Sequence, residues 1–325
     1  MDIQRIKDIL NPKRIGKGIS NYFTTKFSRK KDKGTDGVRE RFSPLTVIML
    51  IVLVLYALSL FDLLVWALLT AFKEQSDFRI NIIGLPKQWV WNFSYVYNNF
   101  TVGVQTDTGE VMIGMGRMYV NSILYSLGCA FFNTLVPCIT AYMCAKFPYK
   151  FSKVVYTVVI VTMVLPIVGA LPMEIQVAQF LHLYDHIWGL WLMKANFLGM
   201  YFLVFYGVFK SLPDTYAEAA KIDGAGNLCV LIRIAMPVVR NTFFTVLLIN
   251  FITFWNDYQT PLIYLPSYPT VALGVYHMAT TTINRLAYIP MRMAGALMAL
   301  VPILILFLFT HKRLLGNLTV GGIKG

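Results

Sequence analysis

The chain has 325 residues, of which 57% are apolar and only 14% are charged, and its formal net charge is +13. A charged fraction so far below the roughly 25% of a typical soluble domain excludes a water-soluble globule and indicates an integral membrane protein. The positive charge lies in arms beside apolar segments, where attraction to anionic lipid explains it more simply than nucleic-acid binding does. We therefore expect contacts with membrane lipid and no nucleic-acid partner.

The first 44 residues form a basic arm that carries twelve Lys and Arg residues. Basic residues close to the first apolar segment are retained on the cytoplasmic side of a membrane. Most of the arm lacks a sustained helical period, so we assign it no catalytic role. Residues 1–44 are therefore predicted to be a cytoplasmic N-terminal arm.

Six apolar segments follow, and each is long enough, at about 20 residues or more, for a helix to cross roughly 30 Å of hydrocarbon. They are residues 45–70, 118–145, 154–172, 188–209, 239–264 and 290–310. A transmembrane barrel would need alternating apolar and polar residues, and runs such as Val47 to Leu55 show no such alternation. We predict an all-α integral membrane protein with a six-helix transmembrane domain over residues 45–310.

The distribution of basic residues agrees with six spans. The segments 146–153, 210–238 and 311–325 would all face the same side as the N-terminal arm, and each of them is basic. The segments on the opposite side differ, because 71–117 balances its bases with acids and 173–187 has no Lys or Arg. Since positive charge accumulates on the cytoplasmic side, both termini and the C-terminal tail are predicted to be cytoplasmic.

The loop between the fourth and fifth spans has the features of a short helix. Ser211 and Asp214 have the spacing of a capping box, and Pro213 suits a first helical turn. Alanines follow, and Gly224 supplies the stop at which the chain turns. A second apolar helix then leads to Pro237 at the start of the fifth span. We predict a cytoplasmic helix, a turn and a second helix.

This loop contains Glu-Ala-Ala, then Gly after three residues, and Ile-Ala-Met-Pro after nine more. The spacing resembles the cytoplasmic loop of permease subunits in ATP-binding-cassette (ABC) importers, although Met236 stands where that family usually has Leu. The resemblance implies a coupling helix that docks on an ATPase. The expected ATPase-coupling residues are Glu218, Ala219, Ala220, Asp223, Gly224, Ile234, Met236 and Pro237. An ordinary connection would explain the cap and the glycine, but not the complete spacing.

Two further segments resemble carbohydrate-uptake permeases of the maltose-transporter type. The closing peptide, residues 316–325, looks like the tail that reaches toward the ATPase subunits in that family, so Thr319, Gly321 and Lys324 are expected to contact them. The fifth span has that family's order of aromatic, Trp, Asn, acid and Pro-Leu in Phe251, Trp255, Asn256, Asp257, Pro261 and Leu262. Both segments favour a sugar-uptake permease.

Polar or amphipathic side chains inside the fifth span are the candidates for a translocation pathway. They are Asn250, Trp255, Asn256 and Asp257. Such intramembrane groups serve either a cavity or a contact between helices, and both alternatives stay open for each of them. The resemblance places much of the sugar contact in a partner permease.

The resemblance implies a permease subunit of an ATP-driven sugar or oligosaccharide importer in a bacterial plasma membrane. Its expected partners are a second homologous permease, two ABC ATPase subunits and an extracellular sugar-binding lipoprotein. The sequence has no GxxxxGK motif followed by Ser or Thr that would cradle nucleotide phosphates. We therefore expect that the chain is not an enzyme and has no cofactor, and that ATP and Mg are bound by the partner ATPase.

The alternative is a secondary transporter or channel for a small polar solute. The docking loop disfavours this alternative, because a secondary transporter needs no ATPase partner. The sequence also shows no buried acid-base relay beyond Asp62 in the first span. The four cysteines form no CxxC pair and have no neighbouring His, so we predict no metal site. The spans contain no HExxH or GxSxG motif, so we predict no catalytic residues.

Overall fold

A computed structural model describes residues 44–106, 109–147, 149–165, 169–280 and 285–318, with the side chains of 106 and 312–318 excluded. The contacts between residues divide the chain into two units at Leu60. The described part of the first unit is residues 44–60, a stretch of helix whose side chains are all exposed. The second unit begins at Phe61 and contains the rest of the described residues.

The described part of the chain is largely helical. Its first elements are α1 (Pro44–Ala71), α2 (Gln75–Ile80), α3 (Asn92–Asn99), β1 (Thr101–Thr106), β2 (Gly109–Gly114), α4 (Met115–Lys146) and α5 (Lys150–Val164). There follow α6 (Leu171–Phe180), α7 (Ile187–Met193), α8 (Met200–Ser211), α9 (Thr215–Ile222), α10 (Asn227–Val230), a π-helical turn (Leu231–Ala235) and α11 (Met236–Asn256). The last elements are α12 (Gln259–Tyr264), α13 (Val271–Thr280), a 3₁₀ turn (Arg285–Ala287) and α14 (Ile289–Leu318).

Four stretches of the described chain are long and apolar enough to cross a membrane as continuous helices. They are Pro44–Ala71, Met115–Lys146, Asn227–Asn256 and Ile289–His311. They coincide with the first, second, fifth and sixth predicted spans, although the fifth ends at Asn256 and α12 continues separately. Residues 101–114 depart from the all-helical prediction, because β1 and β2 pair there as an antiparallel hairpin.

The third and fourth predicted spans, 154–172 and 188–209, differ from the prediction because neither is one continuous helix. The third covers most of α5 and the first two residues of α6, and the fourth covers most of α7 and α8. Helix α5 ends before Leu165, which takes extended angles (φ −81°, ψ 117°) as expected of a residue that precedes proline. Helix α7 ends before Lys194, and α8 begins after Gly199, whose φ of 121° is accessible to glycine at little cost. Apolar composition alone conceals such interruptions.

The centre of the second unit is α4, which packs against α7, α8 and α11. One core cluster joins the end of α4 to α8 and α11, and includes Cys138, Tyr142, Phe205, Phe209 and Val239. A second cluster joins the middle of α4 to α7, α11 and α12, and includes Tyr125, Cys129, Leu190, Phe254 and Tyr264. Helix α4 therefore organises most of the packing.

Two glycines allow the chain to approach itself closely around α7. Trp191 on α7 lies against Gly128 of α4, and its indole Nε1 donates to the Leu124 carbonyl at 3.0 Å. At Gly189, a Cβ atom would meet the backbone carbonyl of Leu183 within van der Waals radii. Because that obstacle is backbone, it cannot rotate away as a flexible side chain would.

We expect Gly189→Ala to destabilise the protein by roughly 1 to 3 kcal/mol, the usual cost of overpacking. Gly207→Ala in α8 is the matched control, because its Cβ would meet nothing within 4 Å and alanine favours helix. Thermal unfolding of the detergent-purified protein measures both. Equal melting temperatures for the two variants would contradict the close contact at Gly189.

Candidate functional site

The predicted short helix in the loop between α8 and α11 is present as α9, and it has no buried residue. Glu218 and Ala219 are exposed, and Ala220 is half-buried. The predicted capping box is absent, because Asp214 makes no side-chain bond to the helix backbone. Its Oδ1 instead accepts from Lys146 Nζ, at the end of α4, at 2.7 Å.

Helix α9 ends in a Schellman motif, as the glycine in the sequence predicts. Gly224 has φ +84°, a conformation that costs a residue with a side chain about 1 to 2 kcal/mol. The N–H of Ala225 donates to the Ala220 carbonyl at 2.8 Å, and the N–H of Gly224 donates to the Lys221 carbonyl at 3.0 Å. Asp223 is the exposed C-cap residue immediately before this turn.

The end of α4 holds α9 in place. Lys146 Nζ donates to the Leu212 carbonyl at 2.6 Å in addition to Asp214, and the Lys146 side chain is only 13% exposed. At the other end of α9, the Lys221 ammonium lies 5.8 Å from the centre of the Phe147 ring, within cation–π range. The helix is therefore tied to the bundle while most of its surface stays open.

The open surface of this loop carries large apolar side chains that the sequence reading did not assign to docking. We call Tyr216, Ile222, Leu228 and Ile232 the apolar face of the coupling loop; they are 63%, 86%, 70% and 58% exposed. Sequence periodicity grouped Leu228 and Ile232 with Leu231 on one helical face, yet Leu231 is buried. A separation of three or four residues cannot say which of two apolar stripes meets the bundle.

The second half of the predicted coupling set packs into the protein or starts α11. Ile234 lies half-buried in the π-helical turn, and half-buried Met236 places its Sδ 3.8 Å from Cys138 Sγ on α4. Pro237 is exposed and lies directly after the π-helical turn, at the second residue of α11. The structure thus places Glu218 to Gly224 in the exposed helix and turn, and the other three at the start of α11.

Two of the candidate pathway residues join helices. Asn250 is buried, accepts from Asn133 Nδ2 at 3.1 Å and donates to Thr134 Oγ1 at 2.9 Å, which ties α11 to α4. Trp255 is 3% exposed and donates from Nε1 to the Ala299 carbonyl at 3.0 Å, which ties α11 to α14. These contacts are the interhelical alternative that the sequence left open.

The other two candidates lie at the end of α11. Asp257 accepts from the Tyr125 hydroxyl at 2.9 Å and from the Thr260 N–H at 3.0 Å. Asn256 is exposed and donates only to Ile252 of its own helix, at 2.9 Å. It lines a cavity of about 510 Å³ together with Trp255 and the tyrosines Tyr258 and Tyr276.

Tyr258 and Tyr276 were not predicted as site residues. Their rings stack with centres 4.7 Å apart and planes at 14°. Tyr258 follows α11 and Tyr276 lies in α13, with α12 between them, so no local spacing in the sequence could have paired them. The predicted tail contacts Thr319, Gly321 and Lys324 lie outside the described residues.

Comparison with known proteins gives the family. Residues 133–315, more than half of the chain, match the family described as binding-protein-dependent transport system inner membrane component. The chain therefore belongs to that family. This confirms the predicted class, a membrane permease subunit of a binding-protein-dependent transporter, over the alternative of a secondary transporter or channel.

Curated relatives cover most of the chain at low identity. The melibiose/raffinose/stachyose import permease protein MelC of Bacillus subtilis is 24% identical over 79% of this chain and 89% of its own length. The arabinooligosaccharides transport system permease protein AraQ of the same organism is 24% identical over 86% and 95%. The sn-glycerol-3-phosphate transport system permease protein UgpE of Yersinia pestis is 28% identical over 72% and 81%.

A solved structure supports the fold. One chain from the crystal structure of a bacterial ABC transporter involved in the import of the acidic polysaccharide alginate superimposes with a TM-score of 0.69 at 18% identity. The match covers 86% of this chain and 99% of that chain. Together with the family match, this superposition confirms the predicted all-α membrane bundle.

We expect Lys146→Met to loosen α9 from the bundle. The ion pair with Asp214 contributes little, because the Asp214 side chain is 72% exposed. The larger loss is the charge-assisted bond to the Leu212 carbonyl, and such bonds contribute about 1.5 to 3 kcal/mol. Amide hydrogen exchange in residues 215–225 should accelerate about tenfold or more, since 1.4 kcal/mol is a factor of ten. Lys150→Met, at an exposed lysine, is the control, and equal exchange in both variants would contradict the anchor.

We expect Asn250→Leu to lower stability by roughly 1 kcal/mol or more, because it leaves the Asn133 amide and the Thr134 hydroxyl without their partner on α11. Asn256→Leu is the matched control, since Asn256 is exposed and bonds only within its own helix. Unfolding in mixed detergent micelles compares the two. A larger loss for Asn256→Leu would contradict the role of Asn250 in helix packing.

Proposed function

We propose that this chain is the permease subunit of an ATP-driven importer of a sugar or oligosaccharide, and that it couples ATP hydrolysis in partner subunits to translocation. Family membership supports the transporter class. Several relatives that align with most of the chain are named as oligosaccharide permeases, and this supports carbohydrate over other solutes. The single observation that carries the coupling role is the exposed helix α9, anchored on α4 through Lys146.

The whole of α9 seats in a cleft of the ATPase. Switching a transporter from about 1:99 to 99:1 needs roughly 5.5 kcal/mol of differential interaction, whereas truncating one buried charged contact costs about 2 to 5 kcal/mol. One carboxylate is therefore too little, and the apolar face of the coupling loop supplies the remaining contact. Glu218 takes a basic or N–H donor of the ATPase, and Ala219 lets its backbone approach closely.

Movement of the ATPase then reaches two transmembrane helices at once. Helix α9 is bonded to the end of α4 through Lys146, and a short helix and a π-helical turn connect it directly to α11. Because α4 and α11 are themselves packed and hydrogen-bonded together, a displacement of α9 shifts them as a rigid pair. Asn250 and Trp255 transmit this motion, whereas Asn256 faces the open cavity and is the candidate for substrate contact.

The assembly that this function requires contains a second homologous permease, two ABC ATPase subunits that bind ATP and Mg, and an extracellular sugar-binding lipoprotein. The chain lies in a bacterial plasma membrane with both termini in the cytoplasm, and Thr319, Gly321 and Lys324 of its tail contact the ATPases. The basic segments on that side support the orientation.

We expect Glu218→Lys to abolish sugar-stimulated ATP hydrolysis of the reconstituted transporter and leave the amount of protein in the membrane unchanged. The variant replaces an attraction at the docking helix with a repulsion. Glu110→Lys is the matched control, because Glu110 is exposed on β2 and the change in charge is the same.

Normal coupled hydrolysis in Glu218→Lys would overturn the coupling assignment. Labelling of residues 213–224 by an impermeant reagent from outside the cell would overturn it as well. ATP-dependent uptake of a non-carbohydrate solute, with no uptake of glycans, would retain the coupling helix and refute the proposed cargo.

A further inference from the structure

A cavity of about 650 Å³ is lined by none of the predicted pathway residues. It is lined by α6, α7 and α12 and by the segments that precede or follow them. Ala170 precedes α6, Lys194 and Asn196 follow α7, and Thr260 lies in the first turn of α12. Three interruptions of the predicted third, fourth and fifth spans therefore meet at one cavity.

Interrupted helices are informative inside a membrane. Hydrocarbon cannot hydrogen-bond the backbone groups that an interruption frees, so non-helical backbone at membrane depth is tolerated where it is buried or lines a water-filled cavity. Transporters place binding sites at such discontinuous helices. The cavity adjoins the segment 173–187, which the sequence places outside the membrane, so it lies where helix ends meet the predicted outer side. Its volume is within the range of about 300 to 1,000 Å³ that ligand pockets span.

The polar groups of this cavity are incompletely paired. Glu174 Oε2 accepts from the Tyr264 hydroxyl at 3.2 Å, which leaves the other carboxylate oxygen open. Lys194 is half-buried, and its ammonium makes no hydrogen bond or ion pair with any of the described residues. The Glu174 carboxylate and the Lys194 ammonium thus line the same cavity, are more than 4 Å from each other, and each can still form hydrogen bonds.

The walls of the cavity are held by contacts outside it. Asp185, in the turn between α6 and α7, donates its N–H to the Tyr264 carbonyl at 2.9 Å and accepts from the Ser267 N–H at 2.9 Å. Asp257 accepts from the Thr260 N–H, and so fixes the start of α12. These bonds fix the backbone of the turn between α6 and α7 and the start of α12, whereas the exposed Glu174 side chain and the Lys194 side chain can adjust to a ligand.

We infer that the cavity binds a neutral glycosyl unit of the transported oligosaccharide, through Glu174, Lys194, Asn196 and Thr260. A sugar hydroxyl both donates and accepts, so it satisfies a carboxylate and an ammonium at once. The carboxylate and the ammonium cancel in net charge, so the cavity does not offset the desolvation of a ligand that carries a net charge. Met173, Val177 and Leu192 supply apolar surface for the faces of a ring. The inference rests on the proposed function.

The test uses the complete transporter, with both permeases, the ATPases and the binding protein, in nanodiscs. The probe is whichever of raffinose, maltotriose and diacetylchitobiose the wild type takes up fastest. Met173→Cys reports on the cavity through alkylation by a maleimide, in a background with Cys229→Ser. At a sugar concentration about ten times the dissociation constant, mass action predicts roughly tenfold slower alkylation. Met112→Cys on the exposed hairpin is the control reporter, and the sugar should leave its rate unchanged.

Two substitutions test the polar groups. Glu174→Gln and Lys194→Met should each raise the sugar concentration needed for half-protection by about tenfold or more, because each removes a charge-assisted bond. Glu110→Gln and Lys150→Met make the same changes at exposed positions and should have no effect. An alginate trisaccharide tests neutrality: it should protect more weakly than the neutral probe, and Glu174→Gln should improve its protection.

Each outcome decides the inference. Protection that the two cavity variants leave unchanged, no protection, or stronger protection by the alginate trisaccharide than by the neutral probe would overturn it. If the wild type takes up the neutral glycan and only these results fail, the proposed function stands and the site is wrong. If no glycan is taken up, the proposed function fails, and this inference fails with it.

Discussion

Close packing along α4 is the constraint on which the rest of the described bundle depends. In a bilayer, lipid tails are as apolar as the helices, so helices associate through van der Waals contact and buried hydrogen bonds. Helix α4 provides both kinds of contact, because Gly128 receives the Trp191 indole of α7 and Thr134 bonds Asn250 of α11. Ser122 Oγ also accepts from the Val271 N–H at 2.7 Å, which adds α13. Without this helix, the interrupted segments would have no common support.

The same helix connects the two regions to which we assign function. Lys146 at its end holds α9, and Tyr125 donates to Asp257, which caps α12 beside the cavity. Along α4, the helical rise places Lys146 and Tyr125 about 30 Å apart, which is roughly the thickness of the hydrocarbon layer. A displacement of α9 against an ATPase would therefore reach the cavity through one continuous helix and its partner α11. The coupling role and the sugar site, proposed separately, are mechanically consistent.

Features with local causes were predictable. The φ of +84° at Gly224 follows from a glycine after a run of helix-forming residues. The break after α5 also has a local cause in the Leu165-Pro166 pair, although we predicted one span over residues 154–172. Features with distant partners were not. Asp214 reads as a helix cap, and only the fold brings Lys146 to its carboxylate. Asn250 reads equally as pathway or packing residue, and only the position of Thr134 shows which contact it makes.

The sequence by itself determined the membrane class, six apolar segments, the short loop helix and the family, because these depend on composition and short-range spacing. Only the structure showed which four of the six segments are continuous helices. The tertiary structure alone decided which apolar stripe of the loop is exposed, which polar side chains tie helices together, and where the interrupted spans meet. Glu174, Lys194 and Thr260 lie in three separate segments, and their common cavity depends on how those segments pack. Packing is a long-range property, and no periodicity within one segment encodes it.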